Sequence, residues 1–269
     1  MAVPGSTFRS QYGPWALIAG GSVGLGGEYA RQLAVRGFNL MMVARRAGPL
    51  EEHARVLAAE YRVETRTVAT DLGDPQLLPV LRDATRDLEI GLVVYNAAAA
   101  PIGRHLAQSI EGKLRVLDVN CRGPLLLIHE FCPPMIARRR GGVILMTSMS
   151  GLQGSALITT YAATKAFNLV LGEGLWDELR EEGVDVLAFC AGATRTPNFE
   201  ESSPARSGFF TAPMEPEVVV AEALAALGRT PSAVAGARNR LAGLLMARVM
   251  PRRLAVETIG KATRAMYGK

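Results

Sequence analysis

The run Ala19-Gly20-Gly21-Ser22-Val23-Gly24-Leu25-Gly26 separates a short apolar segment, Trp15–Ala19, from a stretch with helical spacing over 25–36. A glycine turn between a strand and a helix constrains the fold more than any other feature of this chain. Glycine at 20 permits a tight turn, at 24 a close approach of backbone to a phosphate, and at 26 close packing of helix on strand. The helix N-terminus then presents free N–H groups and a positive dipole end to an anion. Glycines alone also serve plain structural turns. The strand–turn–helix context selects the phosphate-binding reading, although the spacing is Gly-x-x-x-Gly-x-Gly and not Gly-x-Gly-x-x-Gly.

Beyond this turn, strand-like and helix-like segments alternate. Apolar runs at Asn39–Ala44, 63–69, 92–95, 142–147 and 184–189 read as strands. Helical spacing covers 51–60, 76–87, a long stretch at 108–139, and 159–181. Such an order, with continuously apolar strands, predicts a Rossmann-type α/β fold: a doubly wound parallel sheet covered on both faces. Residues 1–235 form one catalytic domain in this reading, and 236–269 a basic, amphipathic helical extension of it. Residues 198–216 interrupt the alternation with Ser, Pro, Gly and Phe. A loop of that length inside a domain is usually functional.

The chain has 269 residues, enough for a sizeable core, and a net charge of +5. That charge is uneven. Residues 236–269 carry eight Lys or Arg against Glu257, or +7, which leaves −2 for the rest. The basic character belongs to the tail. With 6% aromatic residues, a base-stacking nucleic-acid surface is not expected. Three cysteines without metal-ligand spacing read as reduced thiols, as in a cytoplasm. No metal site is expected, and His53, His105 and His129 are scattered. No apolar run approaches the ~20 residues of a membrane span, and the N-terminus lacks a signal pattern.

The second strand ends Val43-Ala44-Arg45-Arg46. Ala44 stands where enzymes that bind NAD often place a carboxylate for the ribose hydroxyl. Arg45 and Arg46 suit a 2′-phosphate, unless they are a solvated loop pair. Asp71 ends the third strand and can accept an adenine amino group or cap the next helix. Asn96 follows the fourth strand, where ligands bind or where an asparagine satisfies neighbouring backbone.

Further along, Tyr161-Ala162-Ala163-Thr164-Lys165 puts a phenol and an ammonium one helical turn apart. A free tyrosine ionises near pH ~10, and a fixed cation lowers that value. Ser148 lies thirteen residues upstream, with Ser150 as a competitor, and Asn120 further back. Tyr-x-x-x-Lys alone is common on surface helices; the upstream residues give it weight.

Taken in order, these pieces resemble the short-chain dehydrogenase/reductase family from about Gly13 to Pro197. The glycine turn matches at Gly20, Gly24 and Gly26. The family's Asn-Asn-Ala-Gly appears as Tyr95-Asn96-Ala97-Ala98, and its Pro-Gly as Ala191-Gly192. The catalytic tetrad maps onto Asn120, Ser148, Tyr161 and Lys165. The resemblance implies a role for each. Ser148 orients a substrate oxygen, Tyr161 is general acid or base, and Lys165 holds the nicotinamide ribose and lowers the tyrosine pKa. Asn120 positions a proton-relay water. Cofactor contacts are implied at Gly20, Ser22, Gly24, Leu25 and Gly26, at Arg45 and Arg46, and at Asp71 and Leu72. They continue at Asn96 and Ala97, at Gly192 and Thr196, and at Tyr161 and Lys165.

Tyr12-Gly13-Pro14-Trp15-Ala16-Leu17 and Arg36-Gly37-Phe38-Asn39-Leu40 are similar to the branch of 3-oxoacyl reductases and 17β-hydroxysteroid dehydrogenases. With Arg45 and Arg46, that resemblance implies NADP(H) over NAD(H), a lipophilic carbonyl or alcohol as substrate, and a homodimer or homotetramer. Other readings stay open: a catalytically quiet NADP(H)-binding sensor, or a lipid-binding protein at a membrane surface. Residues 195–215, with Phe199, Phe209, Phe210 and Met214 on or beside them, suit a flap over the nicotinamide or a segment tucked into the core. Leu241, Leu244, Leu245, Met246, Val249 and Met250 give the tail an apolar side. It can pack on the body or on a second subunit, border the substrate mouth, or make peripheral contact with an anionic membrane.

Overall fold

The computed structural model describes residues 6–201 and 212–268. In chain order the elements are α1 (Ser6–Tyr12), β1 (Trp15–Ala19), α2 (Gly24–Val35), β2 (Asn39–Ala44), α3 (Ala47–Tyr61), β3 (Thr65–Ala69), α4 (Leu77–Thr85) and β4 (Ile90–Tyr95). There follow α5 (Ile110–Leu117), α6 (Gly123–Ala137), β5 (Gly141–Ser148), α7 (Thr159–Leu179), β6 (Val184–Ala191) and the short α8 (Pro197–Glu201). Last come α9 (Pro216–Ala226), β7 (Ser232–Val234), α10 (Ala237–Leu244) and α11 (Arg252–Tyr267).

All seven strands are parallel, in the order β3-β2-β1-β4-β5-β6-β7. Strands β1, β4 and β5 are buried almost end to end because helices cover both faces. Tyr29, Leu33 and Phe38 pack with Leu50, Val219 and Leu224 on one face. Leu77, Leu81, Leu127 and Phe131 pack on the other. The order reverses between β1 and β4, and in open α/β sheets ligands bind beyond the strand ends at such a switch. This is the Rossmann-type fold expected, a single domain with helices at its C-terminus.

The long helix expected at 108–139 is interrupted. Ser109 caps α5, its hydroxyl accepting from Gly112 N at 3.0 Å. A wide π-turn at Asp118–Arg122 then separates α5 from α6. Pro124 has no N–H, so it cannot close the helical bond to the Asn120 carbonyl. Asn168 Nδ2 of α7 donates to that carbonyl instead, at 2.8 Å. The Gly123 N–H reaches back to Asp118 O, which frees Val119 O for the Tyr95 hydroxyl. The interruption therefore ties α6 to both α7 and the end of β4.

Candidate active site

The glycine turn is held against β2. Gly20 N and Gly21 N both donate to Val43 O, at 2.7 and 3.2 Å. Gly20 and Gly24 have φ of +86° and +60°, which favour glycine. A side chain at Gly26 would collide with the Gly20 carbonyl and lie 2.8 Å from Asn96 Nδ2. No side chain caps the N-terminus of α2, so its first N–H groups face the turn. Asn96 Nδ2 donates to Gly20 O at 3.4 Å, bracing the turn from the end of β4.

Pairing of β2 with β1 places Arg45 and Arg46 beside this turn. Both are exposed, and neither has an ion-pair partner among the described residues. Asp71 is already engaged: Oδ1 accepts from Gly73 N at 3.0 Å and Oδ2 from Arg115 at 2.6 Å. Although burial alone would raise its pKa, these bonds and the nearby Arg45 hold the carboxyl below its ordinary value. Leu72 is buried beside it. Ala97 N donates to Ala19 O at 2.9 Å. The departures at Ala98 and Ala191 leave the backbone unstrained, since neither has positive φ.

At the other end, Ser148, Tyr161 and Lys165 line one cavity of about 520 Å³ with Leu25, Asn96, Gly192 and Thr196. Ser148 ends β5 in register with Ala191, the neighbour of Gly192. Its Oγ accepts from Ser150 N at 3.2 Å and from Ser150 Oγ at 2.9 Å. A hydroxyl has two lone pairs, so both are used and its own proton must be donated. The Ser148 hydroxyl favours the ionised form of the Tyr161 phenol. Ser150, read from sequence as a competitor, is thus a partner of Ser148.

Asn120 is fully buried at the π-turn. Its Nδ2 donates to Ala99 O and Thr164 Oγ1, both at 2.9 Å, and its Oδ1 accepts from Ala99 N at 2.8 Å. Both amide hydrogens and one lone pair are spent clamping the loop after β4 to α7. Only one lone pair remains for a water.

One expectation is corrected by the electrostatics. The Lys165 ammonium was expected to lower the Tyr161 pKa. Instead burial raises it, opposed by the Ser148 hydrogen bond and assisted by the nearby Tyr267. Lys165 Nζ lies 5.6 Å from the Tyr161 ring centroid and donates to Met146 O at 2.6 Å. Burial also pulls the lysine down to about 8, opposed by the Cys121 and Cys190 thiols. A roof covers this site. Helix α11 contributes Ile259, Ala262, Thr263, Met266 and Tyr267 to the cavity, and the α10–α11 connection adds Met246 and Met250.

The tail therefore packs on the body and encloses the site. Leu245, Met246 and Met250 line the cavity, whereas Leu241, Leu244 and Val249 remain exposed. Asn239 sits over Gly192, where an added Cβ would lie 2.6 Å from its Nδ2. Sequence reasoning missed Asn239 and Gln153; it expected a helical tail and kept the substrate mouth open for it, but named no lining residue beyond Met250. The stripe Ile259, Ala262, Thr263, Met266 repeats at helical spacing, with Lys261 and Arg264 interleaved. Phe199 and Met214 are described: Phe199 lines the cavity, and Met214 packs against the core, its backbone bridging to Thr194. Phe209 and Phe210 lie outside the described residues. Among the described residues no helix is long and apolar enough to cross a membrane, and no cluster could hold a metal. The three cysteines are free.

The family model for short chain dehydrogenases matches residues 14–207. The chain belongs to that family. As a short-chain dehydrogenase/reductase it is an oxidoreductase that uses a nicotinamide cofactor. Among its relatives, a 7β-hydroxysteroid dehydrogenase from Clostridium sardiniense is 32% identical over 233 residues, 87% of this chain and 89% of that protein. The very-long-chain 3-oxoacyl-CoA reductase-A of Danio rerio is 29% identical over 213 residues, 75% of this chain and 67% of that protein. A solved 7β-hydroxysteroid dehydrogenase structure superposes with a TM-score of 0.88 at 29% identity, covering 94% of this chain and 98% of that one. The short-chain dehydrogenase thus sits in the hydroxysteroid and oxoacyl reductase branch.

Proposed function

We propose that this short-chain dehydrogenase/reductase interconverts a ketone and a secondary alcohol on a lipophilic, steroid-like substrate with NADP(H). One observation carries the reading. The Ser148–Tyr161–Lys165 group lies in a cavity of about 520 Å³ whose walls are mostly apolar and whose only charged residue among the described ones is Lys165. A pocket of this kind fits a compact apolar body, with few polar groups to fix orientation. Similarity to 7β-hydroxysteroid dehydrogenases over nearly the whole chain supports a ring ketone, and the oxoacyl relative keeps long-chain 3-oxoacyl thioesters as the competing substrate.

Each residue has a task in this reading. The glycine turn and the start of α2 hold a pyrophosphate. Arg45 and Arg46 hold a 2′-phosphate, with no acid at position 44 to oppose it. The bound nicotinamide supplies or accepts the hydride. Ser148, compelled to donate, hydrogen-bonds the substrate oxygen. Tyr161 gives that oxygen its proton in reduction and recovers it in oxidation. Lys165 orients the ribose hydroxyls. Asn120 keeps the loop after β4 and α7 in register.

Calorimetric titration with NADPH and NADH separately, followed by assays on steroid ketones and 3-oxoacyl thioesters, tests the proposal. NADPH is expected to bind more tightly. Replacing Arg45 and Arg46 together by Ala should weaken NADPH by about 10- to 100-fold, as loss of charged hydrogen bonds does, with little effect on NADH. Equal binding of both nucleotides would remove the NADP(H) assignment.

A further inference from the structure

Gln153 lies on the turn after β5, five residues beyond Ser148, and lines the same cavity. Only 4% of its surface is exposed. Its Nε2 donates to Met149 O at 3.2 Å. Its Oε1 is shielded from solvent and has no hydrogen-bond partner among the described residues. The orientation follows from the bond to Met149: reversing the carboxamide would set two oxygens against each other. The amide is therefore pinned with its acceptor unsatisfied.

Neighbouring groups do not relieve it. Ser155 Oγ donates to Ser150 O at 3.3 Å, and Ser150 Oγ donates to Ser148. Helix α11 roofs this turn: Arg252 Nη1 donates to Leu152 O at 2.8 Å, and Val256 lies 3.9 Å from a Cβ built on Gly154. A buried carbonyl oxygen without a donor is costly, and a leucine would fill similar space without that cost. In a mostly apolar ligand cavity, such an oxygen marks a place where a ligand's donor belongs.

We propose that Gln153 Oε1 accepts a hydrogen bond from a substrate hydroxyl remote from the reacting carbon. The inference rests on the ring-ketone reading above and narrows it. The favoured substrate is an apolar ring ketone that carries a second hydroxyl group. The alkyl chain of an unbranched 3-oxoacyl substrate carries no donor.

The test compares a hydroxylated steroid ketone with its deoxy counterpart, otherwise identical, in NADPH-dependent reduction. Wild-type protein should prefer the hydroxylated ketone by about 10- to 100-fold in kcat/KM, since a site built to pair with a hydroxyl discriminates strongly against its absence. Gln153→Leu should bring the ratio close to one while turnover of the deoxy ketone persists. Gln153→Met, nearly the same shape and more flexible, should do the same if the leucine variant folds poorly. A ratio unchanged in both variants would overturn the proposal, as would a higher melting temperature without a change of preference, because Gln153 would then be a structural defect only. Activity on 3-oxoacyl thioesters with none on either steroid would instead overturn the ring-ketone reading and this proposal with it.

Discussion

At the scale of single residues, the active-site chemistry depends on which hydroxyl donates to which. Ser150 fills both lone pairs of Ser148, through its backbone N–H and its side chain. Replacing Ser150 by Ala removes one of these bonds and lets the Ser148 proton point elsewhere. We expect kcat for carbonyl reduction to fall about 5- to 20-fold, as loss of one hydrogen bond of ~1–2 kcal/mol implies, with KM for the coenzyme unchanged. Ser150→Thr should restore most of it. A fall in coenzyme binding with no change in kcat would refute the orienting role. A second residue-scale prediction concerns pH. Tyr161 is raised, so its phenol stays protonated and ready to donate across the neutral range. Lys165 lies at about 8, so its charge is present below that pH and is lost as pH rises through it. For reduction by the free enzyme, kcat/KM should therefore decline above pH about 8. Lys165→Arg, charged throughout, should flatten that limb; a wild-type profile flat to pH 10 would count against the assignment. The positions of Ser148, Tyr161 and Lys165 were legible in the sequence because the spacing is local to β5 and α7. The direction of the tyrosine shift was not, because it follows first from burial in the folded site.

Strand limits were read within a few residues because apolar runs bounded by turn residues leave little choice. The break at Asn120 was hidden, since Val119, Leu126 and Leu127 continue an apolar pattern through it. Pro124 was the available signal: it frees one carbonyl four residues back, and Asn168 takes it. Helix α11 falls within the helical extension expected at 236–269, but its cavity-facing residues were not singled out. Its N-terminal half is fastened to the turn after β5, and its C-terminal half closes the cavity. Ending the chain after Met250 should leave the sheet and the glycine turn folded while opening the cavity to water. Loss of the apolar contacts from Ile259, Ala262 and Met266 should raise KM for a lipophilic ketone by at least about 10-fold. NADPH affinity should change little. An unchanged KM for the ketone would show that α11 is not part of the substrate wall.

For the whole molecule, sheet order does most of the positioning. The reversal between β1 and β4 gathers the glycine turn, Asn96, Ser148 and Gly192 along one edge, although they span more than 170 residues of sequence. The order followed from the alternation of segments and the glycine turn, so the fold class was within reach of the sequence. Short β7 was not, because three residues carry too little periodicity to be distinguished from a loop. The charge segregation takes on a physical meaning in the folded chain. The tail that carries +7 is the part that roofs the cavity, turning Met246, Ile259, Ala262 and Met266 to it while Leu241, Leu244 and Val249 stay exposed. Leu106, Ile110 and Leu114, on and just before α5, are also exposed.

The central claim is that Tyr161 passes the proton that accompanies hydride transfer. It is tested most directly by mixing NADPH-loaded protein rapidly with a steroid ketone and following the nicotinamide absorbance, for wild type and for Tyr161→Phe. Wild-type protein should consume NADPH in step with alcohol formed. The phenylalanine variant should bind NADPH with unchanged affinity and lose at least about 100-fold in rate, the usual contribution of a general acid. A Tyr161→Phe protein that reduces the ketone at near wild-type speed would contradict the account.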